Sequence, residues 1–534
     1  MSTPSSRPSS TTVADVSTDV SAMTTTGSLA RLLAWRSNDD PDFPFLYVEE
    51  EGPWTTGQLA AAATRLATLL AAHGAGRGSR VIVRVGNDER FLAALVGIWL
   101  NGGAAVAMHP GAPVEEVARV ARALHADAVI AAPADELLAA DTVPVALPER
   151  VPVVVLDRID NRGRATPSLE VPAGIGADDE ALILLTSGST GQPKGVVLTH
   201  GSGWSNLRAT VAAFRSDTEP AAHADRDSAP NLVANPFSHA GGVVRLLFAL
   251  YVGRRLVVLR KFDAGKTKAL IDAHGINQLT INPTMLRMLL DLPDGDDLGP
   301  VRHVSSGTAP LPPRLREDFE ARFGVPVLQA YGQTEAFGGI AVESVKDVLS
   351  GRRRPNSVGR PLPGVQVAIV GPTGEPVPRG EDGEICVRTA SSMTRYAEES
   401  STGPLDADGW LHTGDLGHLD DDGYLYVTGR LKSTIICGGF NIVPEELEAT
   451  LVDDIAVRAA VVVPLPDERL GEIPVALVEA NDTGEAILER CRERLVSYKR
   501  PRRLFVVGTL PLLPSGKVDK PAAGRMAARL AGVG

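Results

Sequence analysis

Cysteine is nearly absent: the 534-residue chain holds three, Cys386, Cys437 and Cys491. None stands in C-x-x-C spacing, which argues against a disulfide framework or a zinc site and fits a reducing cytoplasm. Long apolar runs are also missing. The most apolar stretch, Phe91 to Met108, is interrupted by Asn101-Gly102-Gly103, so it reads as a helix followed by a strand, and no membrane span is expected. Positive charge is in deficit: 53 Lys and Arg against 65 Asp and Glu give a formal net charge of −12. Such a chain is a poor general binder of nucleic acid. The opening stretch MSTPSSRPSSTTVADVSTDVSAMTTTG has no apolar signal-peptide core and is rich in Ser, Thr and Pro, so residues 1–28 are expected to be a disordered tail. No repeat period is present. Two phosphate-loop look-alikes are incomplete. GAGRGS (Gly74 to Ser79) lacks a final glycine and precedes a strand, and Gly265-Lys266-Thr267 has Arg260 where a Walker A loop requires its first glycine.

What is present is length enough for at least two domains. Thr55 or Thr56 can cap a helix in which Leu59, Ala63, Leu66 and Leu70 share a face before Gly74 ends it. Strand, helix, strand, helix and strand follow at Arg80–Val85, Glu89–Asn101, Ala104–Met108, Val114–Leu124 and Asp127–Ala131. That alternation predicts a mainly parallel sheet with covered faces. Further on, helices are expected at Gly201–Phe214 and Gly265–His274, a polar connection at Glu219–Asp227, and strands at Leu279–Asn282 and Val301–Ser305. From Gly359 the texture turns to short strands, with hairpin signals at Asp408-Gly409 and Asp422-Gly423. Beyond Ile435 a capped helix at Pro444–Leu451 and strands at Ala459–Val463 and Ala476–Ala480 suffice for a small separate domain.

The chemistry centres on Leu184 to His200, LLTSGSTGQPKGVVLTH, which links two apolar strands. Gly188, Gly191 and Gly195 free the backbone to present N–H groups, Thr186, Ser187, Ser189 and Thr190 add hydroxyls, and Lys194 adds charge. This is a cradle for a polyphosphate. Later come Ser306-Gly307-Thr308-Ala309-Pro310-Leu311, Tyr331-Gly332-Gln333-Thr334-Glu335, His412-Thr413-Gly414-Asp415 and Gly429-Arg430-Leu431-Lys432. Gly438-Gly439-Phe440-Asn441-Ile442-Val443-Pro444-Glu445-Glu446 and Leu513-Pro514-Ser515-Gly516-Lys517-Val518-Asp519-Lys520 complete the set. In order and spacing, over roughly residues 30 to 525, these resemble the motifs of the adenylate-forming superfamily, closest in character to its acyl- and aryl-CoA synthetases.

The resemblance implies an α/β fold. A large N-terminal domain of mixed, mainly parallel sheets is expected over residues 29–429, with a β-rich subdomain from about 355 to 429. A hinge at 430–433 with Lys432 at its centre then leads to a small mobile α+β domain over 434–534. It also implies ATP-dependent activation of a carboxylic acid as acyl-AMP, with release of pyrophosphate and transfer to a thiol. In that reading Thr186, Ser187, Gly188, Ser189, Thr190, Gly191 and Lys194 hold phosphates, Gly307, Thr308, Ala309, Tyr331 and Gly332 hold adenine, and Asp415 and Arg430 hold the ribose. Thr334 contacts the α-phosphate, Glu335 binds Mg2+, Lys517 bridges carboxylate and α-phosphate, and Gly438 and Gly439 line the thiol tunnel. Tyr498-Lys499-Arg500-Pro501-Arg502-Arg503 matches a basic segment of the CoA synthetases and is equally well read as a solvated face. One departure stands out: Thr389 replaces a glycine usual in relatives, and the Gly-Tyr that normally follows is missing.

Amino-acid-activating relatives carry an aspartate in the segment that here reads Pro236-Phe237-Ser238-His239-Ala240-Gly241-Gly242. Its absence favours an acid without an ammonium group. His239 falls where the resemblance puts a histidine beside the substrate carboxylate. Gly241, Gly242, Gly338 and Gly339 leave room for an aromatic or medium-chain acid, and Arg245, in an apolar run, either snorkels to the surface or meets a polar substrate group. CoA is the expected thiol. A separate acyl carrier protein, a non-thiol acceptor, an oxyanion such as nitrite, or a non-catalytic nucleotide-binding role remain alternatives, and oligomeric state is open. No carrier-protein motif follows Lys520, so a stand-alone enzyme is expected.

Overall fold

The computed structural model describes residues 27–49, 51–138, 147–148, 151–157, 168–186, 194–214, 228–398, 403–437, 440–495, 499–513 and 516–533. The polar connection at Glu219–Asp227 and almost all of the expected N-terminal tail lie outside these residues. Ser28 and Leu29 are fully buried, and Ser28 already accepts a backbone bond from Arg31.

The fold is mixed α/β. The helix Thr56–Ala72 starts on a complete capping box: Thr55 accepts from the Gln58 amide, and Gln58 returns a side-chain bond to the Thr55 amide. Its apolar face meets the helix Glu89–Leu100, capped by Asp88. The two backbones approach so closely that a Cβ on Gly97 would lie 2.9 Å from the Ala63 carbonyl oxygen. These helices cover a seven-stranded sheet in the order 395–396, 194–199, 180–186, 104–107, 80–84, 128–131, 153–155. Its inner strands run parallel, and Ala104–Ala107 and Ala128–Ala131 are buried along their whole length. Burial on both faces explains why these strands read as continuous apolar runs without alternation.

A second sheet has nine strands, in the order 360–361, 338–342, 327–333, 303–306, 278–281, 231–233, 256–258, 44–48, 51–55. Six of them, from 327–333 to 44–48, are mutually parallel, and antiparallel strands close both edges. A four-stranded antiparallel sheet (366–370, 383–388, 411–419, 425–430) forms the β-rich subdomain. The turn at Asp422-Gly423 joins its last two strands, as expected. The C-terminal lobe is α+β, a five-stranded sheet with the helices Pro444–Val452, Gly484–Arg494 and Lys520–Ala531. Its strands Val457–Asp467 and Gly471–Ala480 are roughly twice as long as the apolar patches that signalled them, because their antiparallel pairing carries on to Asp467 and Gly471 and buries Leu465 and Val475 as well. The helix Pro444–Val452 has no side-chain cap, contrary to expectation, and starts on proline at its first position. Among the described residues no helix is long and apolar enough to cross a membrane.

Candidate active site

The site forms where the carboxyl ends of parallel strands meet the β-rich subdomain and the tip of the C-terminal lobe. Open parallel sheets collect ligands at such ends. Ser306, the last residue of its strand, pairs in register with Gln329. This sets Gly307 beside the next strand, where a Cβ would stand 3.3 Å from the Ala330 carbonyl oxygen. Thr308 follows with φ of 69°, a left-handed turn that reverses the chain and leads through Ala309 to the next helix. On the neighbouring strand Gly332 must be glycine, since a Cβ would lie 2.0 Å from the Gly338 carbonyl oxygen.

Asp415 is the organising carboxylate. It is 3% exposed and sits opposite Arg430 in the antiparallel pairing of 411–419 with 425–430, so strand register alone aligns the two. Arg430 Nε donates to Asp415 Oδ1 at 2.6 Å. Tyr331 Oη at 2.6 Å and Gln333 Nε2 at 2.5 Å both donate to Oδ2. A carboxylate with three donors, one of them charged, is fixed in direction. Burial, and then the adjacent Asp415 charge, push the Tyr331 phenol well above its ordinary value, so its proton remains on the tyrosine. Its hydroxyl is thus a hydrogen-bond donor, and the ring carries the aromatic face expected for adenine.

Glu335 lies in the short 3-10 turn Thr334–Ala336. Its Oε1 accepts a long bond from Tyr396 Oη at 3.3 Å, and among the described residues no other donor meets the carboxylate. It is free to take a hard cation. The Tyr396 ring also carries Lys194, whose ammonium stands 4.6 Å from the ring centroid. That contact joins the end of the phosphate cradle to Glu335. Thr186 faces Lys194 in the same hairpin, with its Oγ1 3.4 Å from the Lys194 carbonyl oxygen. Ser187, Gly188, Ser189, Thr190 and Gly191 lie outside the described residues, as do Gly438 and Gly439.

Lys517 arrives from the C-terminal lobe. Its turn is closed by Leu513 N–H donating to the Lys517 carbonyl at 2.7 Å. It docks on the N-terminal body through Thr284 Oγ1, which donates to the Gly516 carbonyl at 2.6 Å. Burial, followed by the nearby Arg430 charge, lowers the Lys517 ammonium below its usual value, while Asp415 and Glu335 act to keep it protonated. His239 feels the same cation: burial first, then Lys517 and His109, hold its imidazole down to about 4. It is therefore neutral near pH 7, able to donate from one nitrogen and accept at the other.

The structure thus brings Tyr331, Thr334, Glu335, His239, Asp415, Arg430 and Lys517 to one cleft, with Gly307, Thr308, Ala309 and Gly332 in its walls and Lys194 at its edge. Lys432 lies two residues beyond Arg430, in the turn Leu431–Ser433. Sequence reasoning missed four contributors. Gln333 occupied a variable position of its motif, Tyr396 lay just past the departure at Thr389, and His109 and Thr284 belong to no recognised pattern. The glycines of the acid pocket also divide. Gly241 faces Thr308, and Gly338 faces Val244, whereas a Cβ on Gly242 would lie 2.2 Å from the Pro236 carbonyl oxygen and one on Gly339 would meet Leu362 at 3.1 Å. The last two serve close packing and do not widen a pocket.

Two other features are self-satisfied. Glu384, Cys386 and His412 lie close enough together to hold an ion. However, His412 Nδ1 already bonds Glu384 Oε2 at 2.9 Å, and burial pushes the Cys386 thiol up to about 12, so it offers no thiolate. A recess of about 440 Å3 includes Arg77, Arg80, Asp179 and Glu180. It sits at the starts of its strands, away from the ligand-collecting ends, and its cations are already paired as Arg77–Asp179 and Arg80–Glu180.

Family models match both lobes that meet at the cleft. Residues 33–397 match the AMP-binding enzyme family and residues 446–517 its C-terminal domain. The chain belongs to the AMP-binding enzymes. It is an AMP-forming acid–thiol ligase, of a class that uses ATP and CoA. It is 34% identical over 509 residues to a sulfoacetate–CoA ligase of Cupriavidus necator, covering 92% of this chain and 96% of that one. It is 32% identical over 483 residues to 4-coumarate–CoA ligase 3 of Oryza sativa subsp. japonica, covering 87% and 86%. Among solved structures, o-succinylbenzoate CoA synthetase from Bacillus subtilis with its acyl-adenylate intermediate superposes with a TM-score of 0.78 at 28% identity, over 92% of this chain and 97% of that one. The same enzyme has been solved with ATP and magnesium.

Proposed function

We propose that this chain couples ATP to a carboxylic acid lacking an ammonium group, of aromatic or medium chain length, and passes the acyl group to the thiol of CoA. The observation that carries the reading is the meeting of Lys517 from one lobe with Asp415, Arg430, Glu335 and His239 of the other. The acid attacks as a carboxylate and needs no general base, so the protein's work is positioning and charge neutralisation. A carboxylate oxygen bonds to the α-phosphorus, the bond to the β-phosphate breaks, and pyrophosphate leaves with the electron pair.

In this mechanism Asp415 accepts both ribose hydroxyls and Arg430 fixes its direction, while Tyr331 stacks on adenine between the Gly307–Ala309 turn and Gly332. Thr334 donates to the α-phosphate. The cradle from Thr186 to Lys194 grips the β and γ phosphates. Mg2+, when bound, would be held by Glu335 and would neutralise phosphate charge. Neutral His239 donates to the incoming carboxylate, and Lys517 spans carboxylate and α-phosphate as negative charge builds there. Both relatives are named for acids without an amino group, which agrees with the missing aspartate near His239.

The docked turn around Gly516 belongs to the adenylating pose. Transfer to CoA then calls for the C-terminal lobe to turn about Lys432 as a rigid body, withdrawing Lys517 and bringing Gly438 and Gly439 to the thiol path. An ATP–pyrophosphate exchange panel of aromatic, aliphatic and amino acids tests the proposal. Exchange should depend on a non-amino acid, and the adenylate should become a thioester when CoA is added. Exchange driven by amino acids alone would overturn it.

A further inference from the structure

The helix Ala240–Val252 begins at His239 and is buried on most of its surface. Only Ala240, Gly241, Val244, Arg245, Phe248 and Val252 keep partial access. At helical spacing these form one stripe running away from His239. Its start faces known walls. Gly241 approaches Thr308 Cγ2, 3.2 Å from where a Cβ would be, and Val244 Cγ2 stands 3.4 Å from the corresponding point on Gly338. The stripe is therefore a wall of the space that opens from the adenylate site, and it is apolar except for Arg245.

Arg245 has no hydrogen-bond or ion-pair partner among the described residues. The residue keeps only partial access on a helix whose other faces are buried, and burial lowers its guanidinium to about 10. Its place on the stripe, one turn beyond Gly241, puts it on the side that Thr308 and Gly338 wall. Helical side chains lean toward the preceding turn, and four residues before Arg245 stands Gly241, which leaves that position open. On the same wall Asn206, 1% exposed and with Oδ1 3.8 Å from the Gly338 Cβ point, has neither side-chain amide atom bonded among the described residues. An enclosed cation without a counter-ion is costly to maintain. It becomes favourable when an anion enters with it.

We infer that the acid pocket takes substrates with a second, distal oxyanion, a carboxylate or a sulfonate, and that Arg245 is the specificity residue pairing with it. The inference rests on the acid-activating function proposed above. Six residues at 1.5 Å rise put the arginine about 9 Å along the helix axis from His239. The reacting carboxylate thus sits at the His239 and Lys517 end, and the second anion lies several atoms away. Chemistry at the α-phosphorus is unchanged, and the distal group keeps its charge throughout. The planar guanidinium fork suits either oxyanion geometry.

The test uses the full chain in ATP–pyrophosphate exchange with acids matched in length: hexanoate against adipate, benzoate against isophthalate, and 3-sulfopropanoate against butanoate. The wild type should favour the dianion by about 10- to 100-fold in kcat/KM, the scale of a hydrogen bond to a charged group. Arg245→Met and Arg245→Gln should lose that preference while retaining exchange with the monoanions, which also shows that they fold. The carboxylate and sulfonate arms report which oxyanion fits better. A wild type that prefers monoanions, or variants with an unchanged dianion-to-monoanion ratio, would overturn the inference and leave acid activation standing. Absence of exchange with every acid would overturn acid activation and this inference with it.

Discussion

The seating of Lys517 depends on a bond remote from the chemistry, and replacing Thr284 with valine isolates it. Thr284 Oγ1 donates to the Gly516 carbonyl at 2.6 Å, and valine keeps the side-chain shape while deleting the donor. A neutral hydrogen bond contributes about 0.5–1.5 kcal/mol net. Gly516 is only partly buried, so water can replace part of the loss and about 1 kcal/mol is the reasonable figure. That lowers the seated population of the turn by up to about fivefold. Single-turnover pyrophosphate release should slow by up to that factor. Thioester formation from supplied acyl-adenylate should keep its wild-type rate, because the turn leaves its dock for that step. Equal slowing of both half-reactions, or none in adenylation, would refute the link between docking and Lys517 placement.

Four further outcomes are expected. Lys517→Ala should slow adenylation by about 10²- to 10³-fold, the scale for removing one preorganised donor, and spare thiolation of supplied adenylate in a stopped assay. Arg430→Met leaves Asp415 held by neutral donors alone. Since the Arg430 side chain is 59% exposed, the change should appear as about a tenfold higher KM for ATP, with little shift in Tm. Gly332→Ala would force a Cβ against the Gly338 carbonyl oxygen, a 2.0 Å approach. A loss of several degrees in Tm, read by calorimetry, is expected along with lost ATP binding. Burial holds His200 and His239 down to about 4 from 6.5. The unfolded chain binds these protons first, so stability is full above pH 6.5 and falls as pH drops toward 4, by no more than about 3 kcal/mol per histidine. Denaturation midpoints across that range should show the acid limb, and His200→Phe should reduce it.

Much of the body was legible from local signals. Thr55 with Gln58, and Asp88 before Glu89, announce helix starts through side-chain chemistry that acts within a few residues. Buried parallel strands such as Ala104–Ala107 announce themselves by having no polar face. The site was legible as motifs in order, yet their assembly was not. Asp415 meets Tyr331 and Gln333 across more than 80 residues, a contact set by strand register that no local pattern encodes. Tyr396 joins Lys194 to Glu335 through an aromatic face in a segment where the familiar glycine is replaced by Thr389. Arg245 shows the limit most plainly. Its sequence context suggested a snorkelling arginine, and only the absence of a partner together with its enclosure distinguishes a pocket cation from a surface one.

The most direct test of the account is acid-dependent ATP–pyrophosphate exchange by the full chain, followed by CoA addition with mass detection of the products. The account predicts exchange with acids that lack an ammonium group, an acyl-AMP in the absence of CoA, and an acyl-CoA in its presence. Exchange confined to amino acids, or an adenylate that never becomes a thioester, would contradict it.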